Sequence, residues 1–147
     1  MSEKPASKEG FSVRYSESVE SLTPDSLQGF FVGWPNKPST EVHLQLLQKS
    51  DHRVIALNKN NVVIGFITAV TDGVLSGYIP LLEVLPDYQG NGIGQELVKR
   101  MLEKLKNLYM IDLSCDPKVQ PFYESLGMEK GVGMRIRNYP NQNGVQD

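Results

Sequence analysis

Apolar and polar residues alternate over Phe11-Ser-Val-Arg-Tyr15, a period of two that predicts a first strand. Thr23-Pro24-Asp25 then supplies an N-cap residue, a proline at the first helical position and an early acid, so a short helix is expected to follow. Gly29-Phe-Phe-Val-Gly-Trp34-Pro35 is aromatic but broken by glycine and proline, which predicts a structured loop. A second helix is expected from Ser39 or Thr40, with Val42, Leu46 and Leu47 turned inward and its end before Asp51. Three strand-like runs come next: Arg53 to Asn58, Val62 to Thr71 with Gly65 inside it, and Val74 to Val84 after an Asp72-Gly73 hairpin signal. Gly77 and Pro80 mark the third run as irregular or as an edge.

From Gly92 the period lengthens. Leu97, Met101, Leu105 and Leu108 recur at helical spacing, and Val98 and Leu102 widen the apolar face. Tyr109 to Ser114 predicts a fifth strand, Pro117 to Leu126 a short helix stopped at Gly127, and Met128 to Tyr139 two strands parted by Gly131-Val-Gly133. The order β-α-α-β-β-β-α-β-α-β-β describes a single mixed α/β (α+β) domain over residues 1–147. Its ordered core is expected at about 11–139, with looser ends at about 1–9 and 140–147, where few apolar groups are available for burial.

Composition narrows the partners. A net charge of -2 gives no electrostatic drive toward nucleic acid or an anionic membrane. Lys99, Arg100, Lys104 and Lys106 are interleaved with Glu96 and Glu103, the pattern of a solvated helix face. One cysteine, Cys115, excludes an internal disulfide and a cysteine-rich zinc site. His43 and His52 lack metal-ligand spacing and are expected at the surface or as caps, so no metal is called for. The polar start has no apolar core of a signal peptide, and no run reaches membrane-spanning length, which together predict a cytoplasmic protein.

The densest chemical signal is Gln89-Gly90-Asn91-Gly92-Ile93-Gly94, between a strand and an amphipathic helix. Glycine lets backbone approach a ligand closely, and a helix start offers unpaired N–H groups and a positive dipole end, so the pattern suits a phosphate. A glycine-rich connection without a ligand is the plain alternative. A Walker A loop is disfavoured because Gln95 and Glu96 follow Gly94 where Lys and Ser/Thr are needed. A dinucleotide site would want the glycines directly after the strand, whereas Leu85-Pro-Asp-Tyr-Gln89 intervenes; Asp112 would be its ribose-binding acid.

At this point the sequence resembles the GNAT family of N-acetyltransferases, whose acetyl-CoA motif reads Gln/Arg-x-x-Gly-x-Gly/Ala and is filled here by Gln89, Gly92 and Gly94. Val84-Leu-Pro86-Asp-Tyr88 is similar to the family's approach to that loop, and Phe122-Tyr123-Glu-Ser-Leu126-Gly127-Met128 to its second motif. The resemblance implies an acyl-CoA N-acyltransferase fold, acetyl-CoA as co-substrate, and a small-molecule or peptide amine as acceptor. It implies pantetheine pairing at Val84 and Leu85, pyrophosphate binding by the amides of Gln89, Gly90, Asn91, Gly92, Ile93 and Gly94, and Tyr123 as the acid for the leaving thiolate. Asp116 stands near the cofactor where many members carry Asn, and Pro121 removes an N–H from the short helix. Members commonly dimerise through their C-terminal strands, which implies a homodimer.

An attacking amine must lose a proton, to a group or to water. Glu83 is the one carboxylate in the run from Val74 to Leu85, among apolar neighbours, and is the candidate base; a structural pair with Arg53 or Arg135 is its alternative role. Tyr78 and Asp72 are further candidates. Glu83 and Val84 should face opposite ways along a strand unless a bulge intervenes. Phe30, Phe31 and Trp34 either close the core or line the acceptor site, where Phe31, Trp34 and Tyr78 would contact an apolar amine. Acetyl transfer by direct attack in a ternary complex is the leading expectation. A non-catalytic CoA-binding module is the alternative, and a dinucleotide-binding protein stands third.

Overall fold

The computed structural model describes residues 12–146. A five-stranded sheet runs in the order β1 (Arg14–Ser16), β2 (His52–Leu57), β3 (Val63–Thr71), β4 (Ser76–Val84), β5 (Met110–Asp112). Neighbours are antiparallel as far as β4, and β5 joins β4 in parallel. The α-helices among the described residues are α1 (Thr40–Lys49), α2 (Ile93–Lys104) and α3 (Gln120–Glu124). The class is the expected one, a mixed sheet flanked by helices.

Both faces of the sheet are covered, which is why β3 is apolar almost without interruption. Ile64, Ile67 and Ala69 face α2 with Val54, Ala56, Ile79, Leu97, Val98, Met101 and Leu105. Val63 and Phe66 face the other way, onto Leu47 of α1 and the loop residues Leu27, Phe30 and Phe31. On the outer face of α2 the charges pair as the sequence predicts: Glu96 with Arg100 at 2.8 Å, one turn apart, while Lys104 reaches Glu17 at 2.6 Å. Helix α1 begins where the Ser39 hydroxyl accepts from the Val42 amide at 3.1 Å.

Four expectations are corrected. The helix after Thr23 is a single 3-10 turn, Pro24–Leu27, because only Leu27 in that turn has a core to enter. The first strand is confined to Arg14–Ser16, and Phe11 lies outside the described residues. His43 is neither a surface residue nor a cap: it is 1% exposed, one turn before Leu47 on the inner face of α1, among the rings of Phe30, Phe31 and Phe66 at 4.5–5.2 Å. The two C-terminal strands do not form within the described chain. A strand exists only by pairing, and residues 129–137 make no backbone hydrogen bond among the described residues. Val132, Met134 and Ile136 therefore stand 104%, 99% and 84% exposed. Beyond them the chain docks again, with Gln142 Oε1 accepting from the Asn36 amide at 2.9 Å.

Burial holds the His43 imidazole neutral, lowering its pKa from 6.5 to about 4, and neither ring nitrogen has a partner. Between those two values the unfolded chain binds a proton that the folded chain refuses. The stability from this source is therefore complete above pH 6.5 and lost as pH falls toward 4, a loss of roughly 3 kcal/mol. His43→Leu should remove that part of the acid sensitivity, read as the difference between urea unfolding free energies at pH 7 and pH 4.5. An equal fall in the variant would place the loss in other groups.

Candidate functional site

β4 is longer than its partner on one side. β5 pairs only with Ser76, Gly77 and Tyr78, so residues 79–84 of β4 run on with that edge open. A register shift against β3 between Thr68 and Val70 lies beside this departure, and Pro80 sits where no ladder partner needs its missing N–H. Leu85 donates its amide to Ile64 of the preceding strand run at 2.9 Å. By alternation the backbone groups of Val84 then turn toward the open edge. Its carbonyl accepts from Gln89 Nε2 there at 3.0 Å, and its N–H has no strand beside it. Of the two residues expected to meet the pantetheine arm, Val84 keeps an available donor; the Leu85 amide is already committed to β3.

The loop beyond Val84 is built to present its amides. Pro86–Tyr88 makes a 3-10 turn, and Asn91 Nδ2 donates to the carbonyls of Tyr88 (3.0 Å) and Gln89 (3.3 Å), stapling the loop to itself. Gly90 (φ 82°) and Gly92 (φ 81°) occupy the left-handed region that side chains resist, and Gly92 is the N-cap of α2 without a capping side chain. Among the described residues, the amides of Gly92, Ile93 and Gly94 donate to no protein group; the helix ladder starts with Glu96 donating to the Gly92 carbonyl at 3.1 Å. Together with the helix dipole, these free donors can hold a phosphate or pyrophosphate.

α3 packs beside the glycine loop. A methyl group on Gly94 would stand 3.7 Å from Phe122 Cζ and 3.8 Å from Val84 Cγ2, so the glycine loop, the end of β4 and α3 meet at this point. Tyr123 is half-buried next to Phe122, and burial, with a smaller contribution from Cys115, pushes its phenol up to about 12. Asp116 is exposed and opens the 3-10 turn Pro117–Val119 that leads into α3; Pro121 lies in the helix's first turn, where its missing N–H costs nothing.

The acceptor-side residues separate. Phe31 is buried and has φ 62°, while Trp34 is 37% exposed, with its ring 4.9 Å from that of Phe31. Tyr78 is also partly exposed, its hydroxyl 3.3 Å from Ser114 Oγ. Glu83 lies on the Phe66 side of the sheet and Val84 on the α2 side, as strand parity requires. The Glu83 carboxylate is engaged, by neither Arg53 nor Arg135: the Phe31 amide donates to both oxygens at 2.9 Å and the Val32 amide to Oε2 at 3.3 Å. Arg53 instead donates to the Ser50 carbonyl at 2.6 Å. Asp72 caps its own turn, accepting from the amides of Val74, Leu75 and Ser76, bonds that hold its carboxyl below its usual value. The side-chain bonds of Gln89 and Asn91 and the Glu83–Phe31 contact escape a sequence reading. Glycines at 29 and 33 signal a tight turn there but not its partner. Among the described residues no three His, Cys, Asp or Glu side chains gather as metal ligands, and no helix is long and apolar enough to cross a membrane.

Residues 19–128 match the acetyltransferase (GNAT) family. The chain is 43% identical to the solved structure of a candidate acetyltransferase from Deinococcus radiodurans R1, with a TM-score of 0.89 over 92% of this chain and 94% of that one. A GNAT-family acetyltransferase from Streptococcus pneumoniae TIGR4 is 31% identical, with a TM-score of 0.68 over 87% and 98% of the two chains. The chloroplastic GCN5-related N-acetyltransferase 1 of Arabidopsis thaliana is 28% identical over 131 residues, 86% of this chain and 66% of its own length. The chain thus spans about half to two thirds of the length of the curated relatives it matches.

The loop geometry predicts unequal tolerance at its glycines. Gly92→Ala should cost about 1 kcal/mol through its positive φ alone, since nothing crowds the position. Gly94→Ala should be neutral or slightly stabilising, because the added methyl meets ordinary contacts in the first turn of α2. Thermal unfolding of the two variants checks the order; equal losses would contradict it.

Proposed function

The chain belongs to the GNAT family of acetyltransferases, and on that premise we propose that it moves the acetyl group of acetyl-CoA onto a primary amine by direct attack in a ternary complex. The observation that carries this reading is the set of amides at the start of α2 that no described residue partners, beside an open β4 edge and next to Phe122, the residue before Tyr123. The amides from Gly90 to Gly94 hold the pyrophosphate, whereas the Gln89 amide, also expected there, is spent on the Pro86 carbonyl at 3.3 Å. The Val84 N–H at the open edge is placed to pair with the pantetheine arm or polarise the thioester carbonyl. The attacking amine must be neutral, and with the Glu83 carboxylate turned onto backbone amides its proton leaves through water.

Tyr123 serves the departing sulfur. A phenol at about 12 stays protonated at any physiological pH and is always available as a donor. Full transfer to a thiolate of ordinary pKa, about 8.5, is uphill, so its contribution is a hydrogen bond that stabilises the developing charge. Trp34 and Tyr78, both partly exposed, favour a small-molecule or peptide amine with an apolar body, whereas Phe31, also expected there, is buried in the core and supports the wall from behind. The test is thermal unfolding with acetyl-CoA at a hundred times its dissociation constant, where about 2.7 kcal/mol should raise the midpoint by roughly 5–10 °C. Tyr123→Phe should keep that shift and lose at least about tenfold in thiol release across an amine panel. A shift without thiol release from any amine would make the chain a CoA-binding module, and no shift would leave the glycine loop a structural turn.

The acetyltransferase reading extends to assembly as a homodimer through the C-terminal segment. Among the described residues, Val132, Met134 and Ile136 lie at alternating positions with no backbone partner, and no strand pairs with the outer edge of β5. Sedimentation should give twice the 16.4 kDa chain mass. Replacing Val132, Met134 and Ile136 with Asp should yield a folded monomer. A wild-type monomer at about a hundred micromolar, far above a stable dimer's dissociation constant, would reject the dimer.

A further inference from the structure

Glu83 and Phe31, in the loop before α1, are 52 residues apart and meet through the Glu83 carboxylate. The Phe31 amide lies 2.9 Å from each oxygen and the Val32 amide 3.3 Å from one, so two consecutive N–H groups form a concave seat for the anion. The backbone around that seat is held out of its relaxed range. Phe31 is a bulky residue at φ 62°, between Gly29 at 91° and Gly33 at 82°, and the Trp34 amide closes the turn on the Phe31 carbonyl at 3.2 Å. A left-handed conformation at a bulky residue persists only where its surroundings over-determine it. Here there are two restraints. The Phe31 ring is buried against His43 at 4.9 Å and Phe66 at 6.2 Å, and the Glu83 carboxylate holds the amides. Phe66 is also the residue paired with Glu83 across β3 and β4, so ring and carboxylate descend from one register position. What the turn leaves outside is Val32 and the edge of Trp34, 61% and 37% exposed.

We infer that Glu83 is a positioning residue for the acceptor: its carboxylate clasps the Phe31 and Val32 amides and so presets Val32 and Trp34 as a wall for an amine with an apolar or aromatic body. The inference rests on the acetyl-transfer reading for the identity of the ligand, but not for the clasp itself. Both carboxylate oxygens are already occupied by the Phe31 and Val32 amides, an arrangement that suits a restraint better than a proton acceptor. Preset geometry lowers the ordering cost of binding the amine, so the clasp acts on the acceptor's affinity.

The chain carries its own reporter, since Trp34 is its one tryptophan. In Glu83→Ala, Trp34 emission should shift to the red, and exchange at the Phe31 and Val32 amides should accelerate at least about tenfold as the loop opens. Glu83→Gln keeps one carbonyl acceptor and should fall between wild type and the alanine variant. With phenethylamine as acceptor, Glu83→Ala should raise the amine KM about tenfold and leave kcat within about threefold. The acetyl-CoA thermal shift should be unchanged. A fall in kcat of about a hundredfold in Glu83→Gln, with amine KM unchanged and the acid limb of the pH–rate profile abolished, would make Glu83 the general base and overturn the inference. Unaltered emission and exchange in Glu83→Ala would overturn it too. If wild type acetylates no amine, the acetyl-transfer reading fails, while emission and exchange still decide the clasp.

Discussion

Everything at the site depends on β4 outlasting its pairing with β5. A parallel neighbour that continued alongside β4 would consume the backbone groups of residues 79–84 in a ladder. Because β5 covers only Ser76, Gly77 and Tyr78, the rest of that edge opens as a cleft. The chain then has to turn from the end of β4 into α2 within a few residues, and does so with two glycines at positive φ. That turn leaves the first amides of α2 beside the open edge, and no described residue receives them. The divergence of the strands and the free donors of the helix are therefore one feature seen from two sides.

Strand parity distributes the chemistry. Val84 and Glu83 are adjacent in sequence and look into different halves of the molecule, Val84 toward α2 and the glycine loop, Glu83 toward the aromatic loop before α1. On the proposed acetyl-transfer reading, one half would meet a phosphorylated thioester through backbone amides, which need no particular side chain, and the other would meet the acyl acceptor through aromatic side chains held on a strained turn. That division would let the acceptor wall vary in sequence without disturbing the anion cradle.

The acceptor half also contains the fold's electrostatic weak point. His43 sits without a hydrogen-bond partner among the rings of Phe30, Phe31 and Phe66, and burial keeps it neutral. A polar group buried in this way costs stability that an apolar side chain would not. Since the ring of Phe31 rests on it and the Phe31 amide rests on Glu83, a charge on the imidazole would disturb core and site together.

The sequence by itself determined whatever is settled within a few residues. The alternation of β3, the apolar stripe of α2, the Ser39 cap and the glycines of the phosphate loop are all local, because period and backbone freedom are properties of neighbouring residues. The family resemblance was legible for the same reason, since its two motifs are short contiguous runs. Tertiary structure decided the partners. His43 read as a surface or capping residue until α1 rotated it inward beside Leu47, and Glu83 read as a base or as the partner of Arg53 or Arg135 until the register against Phe66 brought it under the Phe31 amide. The alternation of Val132, Met134 and Ile136 was equally plain, yet no strand formed, since a pattern of side chains specifies a face but cannot supply the neighbouring backbone that a strand requires.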